Sequence, residues 1–510
     1  MSRLTRTSLM LAFFIATDKI LAVIRQVIIA RHFGLSSELD AFNVANNMPD
    51  LLFALISGGA LAVAFIPVLS EVLTQQGQRQ AWELFSKIAN LAFLVTGALA
   101  VFIAVLAVPL VRWRLGIAPG FNPTQQLLVA ELMRLNLIAT MIFSISGLVM
   151  AGLQANQHFF FPAMAPPLYN LGQIFGALIL APDKPYVIAG ITLPAFGLGV
   201  YGLVYGVIIG ASLHLAIQIP GLIKYHFHWQ PALDLSNPIV RRVIRLFGPR
   251  LLTMLIIQLI FIVRDNLASR LQAGSVSALT YGWMIQQVPE TLIGTAIGIA
   301  LLPTLSELAS KQDWEGFRTT IERAVQVLLG ITLPISIVLM VGLRPFLAVV
   351  FRFDDQGTDL LLWVTRGYLL GLAGQCLLEV ANRSFYAQQN VRIPLIGSIL
   401  NLGIYIILGM ALFRSAGSIG ISVTDSIAFT TQAVAVLFLL NKRLPQKFSF
   451  GKSGLNAILA TVAGGGVSVI IFILLDGRIP ALIVGSASMC LGGIAAMPLI
   501  RRELRILLRL

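Results

Sequence analysis

Charge is scarce in this 510-residue chain: only 11% of its residues are Asp, Glu, Lys or Arg, against about 25% in an ordinary soluble domain. That scarcity excludes water as the main solvent. Cysteine is nearly absent, and the two present, Cys376 and Cys490, sit inside apolar runs, where a small hydrophobe is the expected role. No disulfide framework or CxxC metal site follows. Catalytic signatures are missing as well. No HExxH or GxSxG stretch occurs, and Gly451-Lys452-Ser453 has Gln446 where a P-loop needs its first glycine. The chain is therefore expected to be no enzyme and to use no cofactor.

What it has in abundance is apolar sequence: 57% hydrophobic residues and a mean hydropathy of +0.86. Apolar runs of about 20 residues recur from end to end, and a membrane span must satisfy every backbone N–H and C=O internally, which points to α-helices. Alternation of period two, the mark of a β-barrel, is missing. The expected fold is an all-α polytopic membrane protein with about 14 transmembrane helices. Their windows are 8–32, 40–72, 87–111, 125–152, 158–181, 190–219, 248–271, 277–308, 322–350, 358–386, 391–413, 417–440, 454–475 and 479–500. The basic start, Met1 to Thr7, precedes an apolar run interrupted by Asp18, Lys19 and Arg25, so it reads as a first span and not as a cleaved signal peptide.

The formal net charge of +14 does not imply nucleic acid, because the basic residues fall in short loops between spans. An even span count puts both termini on one side. Taking that side as cytoplasmic assigns roughly 21 Lys and Arg inside and roughly 9 outside, as the positive-inside rule requires. Much of the inside charge comes from Arg241, Arg242 and Arg245, from Lys442, Arg443, Lys447 and Lys452, and from Arg501, Arg502, Arg505 and Arg509.

The chain repeats itself. Asn46-Asn47-Met48-Pro49-Asp50-Leu51-Leu52 is echoed by Gln286-Gln287-Val288-Pro289-Glu290-Thr291-Leu292, and Ile66-Pro67-Val68-Leu69-Ser70-Glu71 by Leu302-Pro303-Thr304-Leu305-Ser306-Glu307. Arg25 pairs with Arg264, Arg134 with Arg366, and Asn170-Leu171-Gly172 with Asn401-Leu402-Gly403. The offsets are all about 231–240 residues, and their common order indicates duplication. Two six-helix lobes are expected at 1–222 and 239–441, followed by two extra helices and a basic tail at 453–510. Copies with an even number of spans share orientation, which sets their pseudo-twofold along the membrane normal.

Ionisable groups at membrane depth are expensive and mark function or structural pairing. Asp18 and Arg25 fall on one helix face, two turns apart. The seventh span carries Arg264 and Asp265. A cationic cavity between lobes is one reading, and a salt-bridged cluster neutralised by the aspartates is the other. Glu131 and Arg134, at i,i+3, have the spacing of an intrahelical pair; Arg366, Glu379, Arg383 and Asp425 are comparable cases. Pro49 with Gly58 and Gly59, and Pro289 with Gly294 and Gly298, mark hinges at matching points of the two repeats. His226 and His228 lack the further ligands of a zinc site.

The stretch from Arg25 to Glu71 resembles the MurJ (MviN) lipid II flippase family of the MOP transporter superfamily. The residues that carry the likeness are Ile29-Ala30-Arg31-His32-Phe33-Gly34, Asp40-Ala41-Phe42, Met48-Pro49-Asp50-Leu51-Leu52 and Ala64 through Glu71. Gly274-Ser275-Val276-Ser277 and Leu301 through Ser306 resemble its second half. The resemblance implies V-shaped lobes, a cationic central cavity, and a groove built with spans thirteen and fourteen for a polyprenyl tail. It implies a flippase for undecaprenyl-pyrophosphate-linked peptidoglycan precursor, working by alternating access in the bacterial plasma (inner) membrane during cell-wall biogenesis. Its partners would be that lipid, membrane lipids and cell-wall synthesis proteins. The substrate-binding residues so implied are Lys19, Arg25, Asp40 and Gln287, to which Arg264 and Asp265 are added as a substitute from the seventh span. Arginines typical of the family are replaced by Phe53 and Met284, and Gln287 stands at a usual glutamate. A MOP-type exporter of another lipid-linked glycan or a small solute, and a divergent non-transporting scaffold, are the alternatives.

Overall fold

The computed structural model describes residues 3–57, 60–188, 190–449 and 453–507. The chain divides into two compact units, Met1–Ala273 and Gly274–Leu510. Apart from a two-residue antiparallel pair, Val187–Ile188 with Ile191–Thr192, the described regular structure is helical.

The first unit holds α1 (Arg3–Phe33), α2 (Ser37–Ala45), α3 (Asn47–Leu52), α4 (Ala60–Gln76), α5 (Gln78–Val105) and α6 (Ala107–Arg112). It continues with α7 (Pro123–Ala155), α8 (Phe160–Phe175), α9 (Val200–Ala216), α10 (Ile219–Lys224) and α11 (Pro238–Ala268). In the second unit come α12 (Ser275–Glu290), α13 (Ala296–Ser310), α14 (Trp314–Gly342), α15 (Arg344–Phe351) and α16 (Asp355–Leu369). They are followed by α17 (Leu372–Ala387), α18 (Arg392–Arg443), α19 (Ser453–Leu475), α20 (Ala481–Ala496) and α21 (Arg501–Leu507).

Among the described residues nine helices are long and apolar enough to cross a membrane, or eleven if each of two bent pairs forms one span. The remaining spans of the fourteen have visible places. Helix α18 runs for 52 residues but turns over at Gly417, whose φ of 57° and ψ of −140° are not helical; it is two spans. Helix α1, at 31 residues, is the first span, and the broken run α2 to α4 is the second. Apolar side chains such as Val105, Ile407 and Ile473 stay about 70% exposed, as expected of surfaces that meet acyl chains.

The broken second span has a repeat partner in the eighth. Four residues after Pro49 the helix widens into a π-helical turn at Phe53–Ser57, and two residues after Pro289 another occupies Thr291–Thr295. Proline withholds one N–H from the ladder, and π turns of this kind concentrate at functional sites. The expected hinge residues Gly58 and Gly59 lie outside the described residues. Pro49 is buried at the first break, and Pro289 precedes the second.

Close approach of α8 and α9 depends on glycine. A Cβ on Gly172 would come within 2.4 Å of the Gly210 Cα, and one on Gly176 within 2.6 Å of the Gly206 Cα. Small residues permit such backbone contact between spans, and it fixes Asn170, on α8, at a set depth in the first unit.

Candidate functional site

Polar residues expected to be functional cluster inside the first unit. Arg25 on α1 donates from Nη1 to the Asn170 Oδ1 at 2.8 Å, and Asn170 Nδ2 donates to the Asp18 Oδ1 at 2.8 Å. The one-face placement of Asp18 and Arg25 thus serves a shared amide on α8. On α11, Arg264 Nε contacts the Asp265 Oδ1 at 2.8 Å, and its guanidinium lies 5.1 Å from the Phe261 ring centroid. The other Asp265 oxygen accepts from Asn47 Nδ2 at 2.8 Å. Asp50 lies within electrostatic reach of both Arg25 and Asp265, and its side chain remains open.

Of the expected binding residues, this arrangement gathers Arg25, Arg264 and Asp265. Lys19 is exposed on α1, and Asp40 is buried on α2. Gln287 belongs to the second unit, where its Nε2 faces Gln286 Oε1 at 3.3 Å and Gln375 Oε1 at 3.4 Å. The two arginines differ in character. Arg264 is only 8% exposed and is neutralised by its neighbour, whereas the bond from Arg25 to a neutral amide leaves its charge uncancelled by that contact. Asp18 and Asp50 lie near Arg25, and Asp265 beside Arg264, so the cluster carries both signs of charge.

Sequence reading missed side-chain amide contacts inside each unit. Asn136 Nδ2 on α7 donates to Asn46 Oδ1 at 2.8 Å, and Gln286 Nε2 donates to Gln375 Oε1 at 2.8 Å in the second unit. From Gln375 the network continues to Asp425, 3.4 Å away. The repeat is also obeyed by Arg134 and Arg366, whose Nε atoms donate to the carbonyls of Ala104 at 2.9 Å and Met340 at 2.7 Å. Arg134 therefore does not take up the expected pairing with Glu131, which instead accepts from the Tyr201 hydroxyl. Glu379 and Arg383 do pair, at 2.9 Å. Phe53 packs edge-on against Phe143, with ring centroids 5.1 Å apart.

Duplicated bundles with charged side chains held inside the membrane spans define a multi-pass membrane transporter. Solved structures share the fold: one described as "Lipid II flippase MurJ, inward closed conformation" matches with TM-score 0.78 at 21% identity, covering 97% of this chain and 99% of that one. An inward-facing MATE family transporter of the MOP superfamily matches with TM-score 0.67 at 14% identity, covering 84% and 94%. The model of the family "Lipid II flippase MurJ" matches residues 29–490, and this chain belongs to that family. The lipid II flippase MurJ of Burkholderia cenocepacia is 29% identical over 401 residues, 77% of this chain and 75% of the relative. A probable lipid II flippase MurJ of Bdellovibrio bacteriovorus is 26% identical over 448 residues, 87% and 83%. The chain is a transporter and not an enzyme.

Proposed function

We propose that this protein moves undecaprenyl-pyrophosphate-linked peptidoglycan precursor from the inner to the outer leaflet of the bacterial plasma membrane. The observation that carries the reading is Arg25, held by Asn170 at the depth of a span in a chain that matches the flippase family over residues 29–490. A guanidinium matches diphosphate oxygens bidentately and stays charged at any physiological pH. Lys19, Arg25 and Asp40 would bind the head group from the first lobe and Gln287 from the second. Arg264 and Asp265 would tune the field around Arg25. Rocking of lobes 1–222 and 239–441, with Pro49 and Pro289 beside the π turns as hinges, would expose the lining alternately to each side. Helices in 453–510 would take the prenyl tail, both termini would be cytoplasmic, and cell-wall synthesis proteins would act on the delivered product.

Complementation of a conditional flippase-depletion strain, paired with translocation of a fluorescent lipid II in vesicles, tests this reading. Wild type should rescue growth and translocate, and Arg25→Ala should abolish both, with Arg264→Ala costing less. A rescued Arg25→Ala, or failure of well-expressed wild type, would reject it. Phe53 and Met284, replacing two arginines of the family, favour one variation: a head group of different charge, which translocation of another lipid-linked glycan in the same vesicles would reveal.

A further inference from the structure

After α20 the chain bends by 92° into the short helix α21. A near-right-angle turn takes α21 out of line with α20. It is not a loose tail. Glu503 is fully buried against α14, where a Cβ on Gly330 would meet its Cγ at 3.0 Å, and Ile500 is buried with Ala460 and Ala496. With that face docked, the opposite face turns outward. Pro498, Leu499, Arg501, Arg502, Arg505 and Ile506 line a cavity of about 570 Å³ there.

The chemistry of that cavity is amphipathic. All three arginines are exposed, and among the described ion pairs none involves them. Elsewhere ion pairs form between Arg242 and Glu71, Lys311 and Glu307, and Arg318 and Glu322. Three guanidiniums within about one helical turn form a fork for phosphate oxygens, and Leu499 and Ile506 offer apolar wall to the first carbons of an acyl or glycerol group. We propose that this cavity binds the phosphodiester head group of an anionic phospholipid of the leaflet on that side, clamping α21 to the bilayer. Charge complementarity and the apolar wall beside the arginines select a lipid over a free anion.

Native mass spectrometry of the full chain tests the assignment, with phosphatidylglycerol, phosphatidylcholine and inorganic phosphate as probes. Phosphatidylglycerol should be retained in preference to phosphatidylcholine. Replacing Arg501, Arg502 and Arg505 together by Gln should lower phosphatidylglycerol retention at least about tenfold while phosphatidylcholine is unchanged. The matching triple Lys variant should keep much of the binding, and Arg505→Gln alone, the milder change, should cost roughly fivefold. Undiminished phosphatidylglycerol retention in a Gln variant of wild-type melting temperature would overturn the proposal. Equal loss of both lipids would do the same, and so would full displacement of phosphatidylglycerol by inorganic phosphate, which would mark a free-anion site.

Discussion

The Asn170 amide oxygen accepts from Arg25 across 2.8 Å while its nitrogen reaches Asp18, so one neutral side chain orients a cation and an anion on α1. Asn170→Leu removes both bonds and leaves two partly buried charges with fewer partners. We expect a loss of about 1–3 kcal/mol in stability and a severalfold fall in translocation. Asn170→Asp keeps an acceptor for Arg25 but confronts Asp18 with a second carboxylate, and its translocation should fall further than its melting temperature. Thermal unfolding in detergent together with vesicle translocation separates the two effects; equal activity in wild type and both variants would refute the orienting role.

Pro289→Ala restores the N–H that proline withholds at the eighth-span break. The variant helix should be straighter and slightly more stable, with translocation slowed severalfold and lipid retention unchanged. Single-turnover translocation and native mass spectrometry together read this, and an unaffected rate would remove the hinge role from Pro289.

Gly206→Val places a Cβ 2.8 Å from the Gly176 Cα, where only backbone can yield. Overpacking of this kind costs about 1–3 kcal/mol, and the melting temperature should drop accordingly. Gly403→Ala, where a Cβ meets nothing within 4 Å, is the control and should be neutral.

His158, in the loop between α7 and α8, has its pKa lowered from the ordinary 6.5 by burial and then by Lys224. Its ring lies beside Phe161 and Tyr225. Because the folded state disfavours the charged ring, the stability it contributes is complete above pH 6.5 and declines as pH falls through 6.5 toward the lowered value. The melting temperature should therefore fall by roughly 1–2 °C more in wild type than in His158→Phe between pH 7.5 and 5. Identical pH profiles would contradict it.

Much of the architecture was legible because a membrane demands long apolar helices and a duplication writes itself twice. Asn46 and Gln286 announced corresponding contacts, and Arg134 with Arg366 did the same. The π turns were not legible, since one extra residue per turn hardly disturbs an apolar pattern. The contact between Arg264 and Asp265 falls under the salt-bridged reading of the intramembrane charges, although adjacent residues on a helix do not ordinarily face each other. Asn136 and Gln375 escaped notice because an amide inside a span draws less attention than a charge. The polar connection after Tyr225 also proved firmly docked on α5, where Trp82 Nε1 donates to the Tyr225 carbonyl at 2.9 Å and Asn90 to that of Gln230 at 2.7 Å. Such long-range bonds leave no periodic trace.

The turnover at Gly417 joins the eleventh and twelfth spans with almost no slack. A tether that short cannot absorb displacement, so these two rods must travel as a single lever. Whatever tilts Asn401 on the first must carry Gln432, its hydrogen-bond partner at 2.9 Å on the second, along with it.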